Sequence, residues 1–325
     1  MSRAGKGAGT GHILSVFTEY GGYMRKKGTK SKISRKLQRQ RDIVGYLFLA
    51  PNLIGFVIFM LIPFLYAFYI SFFNWDGITE MQFTGFKNYA KLLTNEGFRI
   101  SFVNTLYYTL LNVPLIIIFG LGLALAVNTI TKFKAFFRTV FFLPNIVTVV
   151  SIVIVWQAFY HPVYGPLTMI LKVLGVENTP QWISDPKWAM ICIIIMSIWI
   201  NAGYYMIIFL AALNNVPESY YEAAEIDGAG KISRFFNITL PMISPSMFFA
   251  IIIAIINSFK VFDQVALLTQ GGPGRSTNVL VYYVYQQSFK YYKFGEASAA
   301  AFILFALILI ITIIQYSMQE KWVID

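Results

Sequence analysis

Between two long apolar runs lies Asn214-Asn-Val-Pro-Glu-Ser-Tyr-Tyr-Glu-Ala-Ala-Glu-Ile-Asp-Gly-Ala-Gly-Lys-Ile-Ser-Arg-Phe-Phe-Asn-Ile-Thr-Leu-Pro241. It carries four acids (Glu218, Glu222, Glu225, Asp227) and two bases (Lys231, Arg234). Pro217 suits the first turn of a helix, with Asn214 or Asn215 as its cap. Glu218, Glu222 and Glu225 then fall at i, i+4 and i+7, along one stripe. Gly228 sits where that helix can end in a left-handed turn. A second short amphipathic piece follows through Phe235, Phe236 and Ile238, and Pro241 stops it. The stretch predicts two short helices joined by a glycine turn at a membrane surface. Their acidic stripe suits a basic groove on a partner.

The apolar runs on either side recur along the chain. Hydrophobic residues make up 57% of the 325 residues and charged residues only 13%. Such a chain cannot cover a water-facing surface with polar groups, so lipid must solvate it. A helix needs about 20 apolar residues to cross a bilayer core. Uncharged stretches of that length run from Ile43 to Trp75, Ile100 to Thr131, Thr139 to about Phe159 and Trp188 to Pro217. Two more run from near Pro241 to Lys260 and from Ala297 to Gln319. The prediction is an all-α membrane protein with six transmembrane helices, comprising a basic tail over 1–42 and a six-helix domain over 43–325. No long two-residue alternation suggests a barrel. Pro51, Pro63, Pro114, Pro144 and Pro245 fall in the spans and should kink them or free a carbonyl. Ordinary helix irregularity and a role in conformational change both accommodate them. Gly120 to Ala124 and Ala297 to Ala301 place small residues at close-packing positions.

Net charge is +11, which in a soluble protein would suggest nucleic acid. Here it is concentrated: residues 1–42 carry +9 and the other 283 carry +2. The loop with Lys132, Lys134 and Arg138 is also purely basic, whereas the loops over about 74–99, 160–187 and 260–296 are more balanced. The positive-inside rule therefore places both termini in the cytoplasm. The tail would touch anionic lipid rather than nucleic acid. It has no continuous apolar core and so is not a cleavable signal peptide. Gly5 to Gly11 lacks phosphate-loop spacing and is assigned to a flexible tail. Ile13 to Tyr23 has the length of an interfacial helix, weakened by Gly21 and Gly22. Cys192, the only cysteine, has no intrachain partner.

The acidic stretch also resembles a known signature. Glu222-Ala223-Ala224, three residues, Gly228, nine residues, Ile238, one residue, then Leu240-Pro241 is similar at every spacing to the EAA signature of ABC importer permeases. Leu268-Thr-Gln-Gly-Gly-Pro273 with Thr277 resembles an element of the carbohydrate-importing branch. Phe136-Phe-Arg-Thr-Val-Phe-Phe-Leu-Pro144, Phe83-Thr-Gly-Phe-Lys-Asn-Tyr89 and Asn201-Ala-Gly-Tyr-Tyr-Met206 extend the likeness over most of the chain. It looks like the larger maltose-type permease without that subunit's extra N-terminal helices and external domain. The resemblance implies the type I importer (MetI-like) fold in a bacterial or archaeal cytoplasmic membrane. It also implies a second homologous permease, two copies of a cytoplasmic ATPase and an extracytoplasmic solute-binding protein. ATP and Mg would be bound by the ATPase, and no cofactor by this chain. Glu222 would face the ATPase, Ala223 and Ala224 would allow close packing, and Gly228 would make the turn.

The residues suggest no catalysis of their own. There is no Walker A motif, no HExxH or CxxC pattern, and His12 and His161 are far apart in sequence. The chain is therefore expected to be a transport subunit and not an enzyme, with no metal site. Ionisable groups are nearly absent from the spans, which argues against an ion-coupled secondary transporter. The exception is Asn257, Lys260, Asp263 and Gln264 at the end of the fifth span. They read either as a polar lining for a solute or as a Lys260–Asp263 pair at the membrane boundary. Asn201, Tyr204 and Tyr205 form a second cluster. Amides and rings suit a sugar, whose hydroxyls need hydrogen bonds and whose C–H face stacks on aromatics. The expected solute is a sugar or oligosaccharide. Lys260 would equally suit a non-sugar solute such as a glycerol phosphodiester, and an amino acid is a further alternative.

Overall fold

The computed structural model describes residues 32–130 and 132–322, so the readings of Gly5 to Gly11 and Ile13 to Tyr23 lie outside the described residues. The chain divides into two compact units at Phe64–Leu65. The first unit holds α1 (Lys32–Phe56), a π-helical turn at Val57–Leu61 and the first residues of α2 (Ile62–Ile70). Ile43, where the uncharged stretch begins, lies within α1. The π turn lies just before Pro63, which has no N–H to offer the carbonyl four residues back. A wider turn absorbs that defect without ending the helix. Apolar side chains from Ile43 onward are exposed, Phe48 to 81%, as a lipid-facing surface requires.

The second unit begins within α2 at Leu65 and continues into a two-stranded ribbon, β1 (Phe73–Asn74) and β2 (Gln82–Phe83), antiparallel with Phe73 opposite Phe83. Next come α3 (Lys87–Thr94), the 33-residue α4 (Glu96–Asn128), α5 (Lys134–Ile146) and α6 (Val149–Phe159). Then follow α7 (Pro166–Val173), α8 (Ala189–Asn214), α9 (Glu218–Ile226), α10 (Lys231–Arg234) and α11 (Leu240–Met242). The chain closes with α12 (Ser244–Phe259), α13 (Asp263–Leu268), α14 (Leu280–Tyr285) and α15 (Phe294–Trp322).

Five helical segments are long and apolar enough to cross a bilayer, and six if α5 and α6 count as one broken span. The expected third span is therefore not one straight helix: α5 and α6 meet at 96°. Val147 and Thr148 adopt extended dihedrals there, three and four residues beyond Pro144. The bend falls after the proline because α5 completes its last turn before breaking. Pro114 is carried inside α4, whereas Pro245 sits in the first turn of α12, where a missing N–H costs nothing.

The core forms where α4 lies along α8, with α5 and α12 packed against them. Small residues set the approach. A side chain at Gly120 would put its Cβ 2.7 Å from that of Tyr205. One at Gly203 would put it 2.0 Å from the Phe141 carbonyl oxygen, so α5 and α8 meet backbone to backbone. Gly122 faces open space, so Gly120 and the fully buried Ala124 serve packing in that repeat and Gly122 does not. A second cluster joins Ala299, Ala300 and Leu304 of α15 to Leu92, Phe98, Phe259 and Tyr283. Lys91 on α3 pairs with the buried Glu296 at the start of α15.

Candidate functional site

Two places carry the residues singled out above. The first is the turn between α8 and α12. Asn214 is the last residue of α8 and Asn215 its C-cap, so neither caps α9; Pro217 takes that position without a side-chain bond. Gly228 has φ +77°, a conformation open to glycine without penalty. The Gly228 N–H donates to the Glu225 carbonyl (3.1 Å) and the Ala229 N–H to that of Ala224 (2.8 Å). This paired arrangement is the Schellman closure of a helix. Arg234 then ties the second piece back: its Nε donates to the Ala229 carbonyl (2.9 Å) and its Nη1 reaches Glu225 Oε2 at 3.0 Å. The Tyr221 and Thr239 hydroxyls bond at 3.0 Å across the turn.

Glu222 and Ala223 are exposed and Ala224 is half-buried. Ile238 lies half-buried in a π turn over Phe235–Thr239, packed against the core. Leu240 and Pro241 are half-buried in α11. Pro241 does not stop the helix as expected; the break comes at Ile243, because the π turn just upstream accommodates the missing N–H. Exposed Ile226 (87%) and Ile232 accompany the acids, an apolar component that the charge pattern did not signal.

The second place is a cavity of about 370 Å³ framed by α4, α5, α8, α12 and the start of α13. Asn201, Tyr204, Tyr205, Asn257, Lys260 and Asp263 all line it, with Gln264. It also takes in Tyr108, Asn112 and Asn145, which the sequence did not point to. Asn112 stands out in the sequence only as one of three amides in an apolar run, and Asn145 by its place after Pro144. Asn112 Nδ2 donates to Ser258 Oγ (2.9 Å), Asn145 Nδ2 to Asn201 Oδ1 (3.2 Å), and Asn201 Nδ2 to the Ser197 carbonyl (2.9 Å). The Tyr204 and Tyr205 rings meet edge to face at 5.3 Å.

No ion pair joins Lys260 to Asp263 among the described residues, contrary to the pairing considered above. Spacing of three brings side chains together only on a continuous helix. Here α12 ends at Phe259 and α13 begins at Asp263. Lys260 therefore caps the negative end of one helix, and Asp263 opens the positive end of the next. Both are exposed to the cavity, which carries one charge of each sign. Among the described residues no three His, Cys, Asp or Glu converge on a metal position.

Beyond α13, the chain turns sharply through Gln270, Gly271, Gly274 and Arg275, all at positive φ. Thr277 holds the turn shut: its Oγ1 donates to the Gly272 carbonyl (2.7 Å) and meets Thr269 Oγ1 at 2.7 Å.

A bundle of broken and kinked apolar helices, with a polar cavity inside it and an acidic helix pair between two spans, defines a membrane transport subunit. The family described as the binding-protein-dependent transport system inner membrane component matches residues 116–324, and the chain belongs to it. A probable ABC transporter permease protein of Bacillus subtilis, YurN, is 34% identical over 87% of this chain and 97% of its own length. The probable starch degradation products transport system permease protein AmyD of Thermoanaerobacterium thermosulfurigenes is 31% identical over 85% of this chain and 94% of its own. The crystal structure of a bacterial alginate ABC transporter, in complex with an alginate pentasaccharide-bound periplasmic protein, contains a similar chain. It superposes with a TM-score of 0.77 at 25% identity, covering 87% of this chain and 96% of that one. The chain is an ABC transporter permease subunit of the membrane.

Proposed function

We propose that this permease carries a sugar or oligosaccharide across a bacterial or archaeal cytoplasmic membrane through the cavity around Asn201, Tyr204, Tyr205, Asn257, Lys260 and Asp263. One observation carries the reading: these residues, far apart in sequence, line a single polar cavity with amides, rings and balanced charge. That chemistry matches a hydroxyl-rich solute. Permeases and transporters of starch products and of alginate among the similar proteins support it.

The chain works with a second homologous permease, two copies of a cytoplasmic ATPase that hold ATP and Mg, and an extracytoplasmic solute-binding protein. Both termini are cytoplasmic, as the basic tail requires. The α9–α10 turn docks on the ATPase through Glu222, with Ala223 and Ala224 permitting close approach. Gly228 sets the angle between the pieces, and Ile238, Leu240 and Pro241 anchor the turn to the core. Asn201 lies thirteen residues before Asn214 on the same helix, about 20 Å along α8. A continuous helix can therefore carry a displacement of the docked turn to the cavity wall. ATP binding draws the two docked turns together, and the cavity alternates between the two sides of the membrane.

Reconstitution of the chain with its partners in proteoliposomes, followed by ATP-dependent uptake of labelled oligosaccharides, tests both parts. Glu222→Lys should abolish uptake at unchanged membrane level. Alanine at Asn201, Asn257 and Lys260 together should raise the half-saturating concentration at least about tenfold. Unchanged transport in the triple variant would overturn the cavity assignment. Lys260, exposed and without an ion-pair partner among the described residues, favours one refinement, an anionic solute. Lys260→Met would then depress uptake of charged sugars more than of neutral ones.

A further inference from the structure

Helix α8 turns Asn201, Tyr204 and Tyr205 to the solute cavity and a different face to an apolar cleft of about 580 Å³. The walls of that cleft include Leu115 and Leu123 of α4, Val140 and Pro144 of α5, Trp156 of α6 and Trp199 of α8. Every residue lining it is apolar. Its depth comes from Ala202 and Gly203, which put little side chain between α5 and α8. A second cleft, of about 290 Å³, adjoins it and shares Val140, Pro144, Trp156 and Trp199. This one runs toward the α5–α6 break at Val147. The shared wall is open to the surroundings, with Val140 44% and Trp199 49% exposed. Along α4 the larger cleft spans Leu115 to Leu123, about 12 Å of helix. That is most of the roughly 15 Å of hydrocarbon in one leaflet.

Lipid tails are as apolar as leucine, so an apolar cleft alone gives a molecule already in the bilayer little reason to stay. Charge at one end of the clefts supplies the reason. Lys134 Nζ donates to Asn128 Oδ1 at 2.9 Å, which stands the ammonium at the last residue of α4. Leu123 is the cleft residue of α4 nearest that end, five residues away, about 8 Å along the axis. On α5, Val140 lies six residues beyond Lys134, about 9 Å. Lys132 and Arg138 are exposed nearby, and neither pairs with an acid among the described residues. The segment from 131 to 138 contains no acid at all. Two adjoining apolar clefts beneath three uncompensated bases match a molecule with two hydrocarbon chains and an anionic head.

We infer that the paired clefts hold one anionic phospholipid, with its acyl chains against α4, α5, α6 and α8 and its phosphate among Lys132, Lys134 and Arg138. The positive-inside rule makes it a lipid of the cytoplasmic leaflet, but the site rests on the bases and the clefts, not on that topology or on the solute carried. The lipid lies beside the α5–α8 contact at Gly203, on the helix whose other face carries Asn201. Its loss should loosen that cavity wall and slow transport.

The test uses the complete transporter, delipidated in detergent and titrated with phosphatidylglycerol or phosphatidylcholine of identical chains. Native mass spectrometry counts the bound lipids, and a phosphatidylglycerol with a diazirine in one acyl chain maps their contacts by photolabelling. One phosphatidylglycerol should bind at least about tenfold more tightly than phosphatidylcholine, since each base near a membrane surface is worth about fivefold. Lys134→Gln with Arg138→Gln should remove that one bound phosphatidylglycerol and leave phosphatidylcholine binding unchanged. Val140→Trp, which fills the shared wall, should remove the photolabel from the cleft residues of α4 and α8. Leu123→Trp, at the basic end of the larger cleft, carries that arm if Val140→Trp does not assemble. Equal affinity for the two lipids, or a preference that survives the double variant, would overturn the site and leave only unselective annular lipid. Photolabel absent from the clefts, with Val140→Cys cross-linking to the second permease, would overturn it in favour of a subunit interface.

Discussion

Gly228 and Gly203 both exclude side chains, for opposite reasons. Gly228 has open space around it but a φ of +77°. Gly228→Ala should cost only the left-handed backbone penalty, about 1–2 kcal/mol, in thermal unfolding of the detergent-purified chain. Gly203 has an ordinary φ but no room, with Phe141 backbone within 2.0 Å of a Cβ. Gly203→Ala should lower stability by about 3 kcal/mol or more in the same measurement, because α5 must leave α8. Sequence pattern exposed the first glycine, since a turn after an acidic helix demands it. The second was quoted only as part of a motif, since no local pattern says which neighbour a helical glycine meets. Asp76 gives a pH-dependent case. The Thr79 backbone N–H first, then that of Ile78 and the Thr79 hydroxyl, hold its carboxyl below the ordinary 3.8. A depressed native value contributes stability above the unfolded pKa, lost as pH falls through the native one. Thr79→Ala should move the Asp76 titration upward toward 3.8 in a carbon-detected NMR titration.

Proline placed its effects one turn away from where the residue stands. The π turns at Val57–Leu61 and Phe235–Thr239 each end two residues before a proline, Pro63 and Pro241. A widened turn lets the helix continue past the missing N–H. Sequence can mark the defect but cannot choose between a kink, a π turn and a break. Packing chooses, and in α5–α6 it chose a 96° break at Val147 and Thr148. The α9–α10 turn offers a sharper test. Arg234 Nε bonds a partly buried carbonyl, whereas its Nη1 contact to Glu225 is solvent-exposed. Exposed ion pairs contribute little. Arg234→Ala should therefore reduce ATP-driven uptake several-fold, about the effect of losing one structural hydrogen bond. Glu225→Gln should leave uptake within about twofold of the parent. Equal effects would show that the ion pair, not the backbone bond, orients the second piece.

Across the second unit, Lys91 and Glu296 join residues 205 apart in sequence. Glu296 is buried, so removing its partner leaves a carboxylate without compensation. Lys91→Met should destabilise the chain by about 3 kcal/mol. Adding Glu296→Gln should recover much of that loss, a coupling readable in a double-mutant cycle of thermal unfolding. The cavity is assembled over a similar range. Tyr108, Asn112, Asn145, Asn201, Asn257 and Gln264 come from five helices and meet only when α4, α5, α8, α12 and α13 pack.

The long apolar runs, the basic tail and the spacing from Glu222 to Pro241 could be read without coordinates, because each is a local or periodic property of the chain. Bilayer thickness, topology and turn chemistry act on such properties directly. That Lys260 and Asp263 stand apart and that Asn112 and Asn145 join the cavity depended on tertiary structure. A side chain's surroundings are set by which helices approach and how closely. Glycines such as Gly203 and breaks such as Val147–Thr148 fix that approach through contacts distant in sequence.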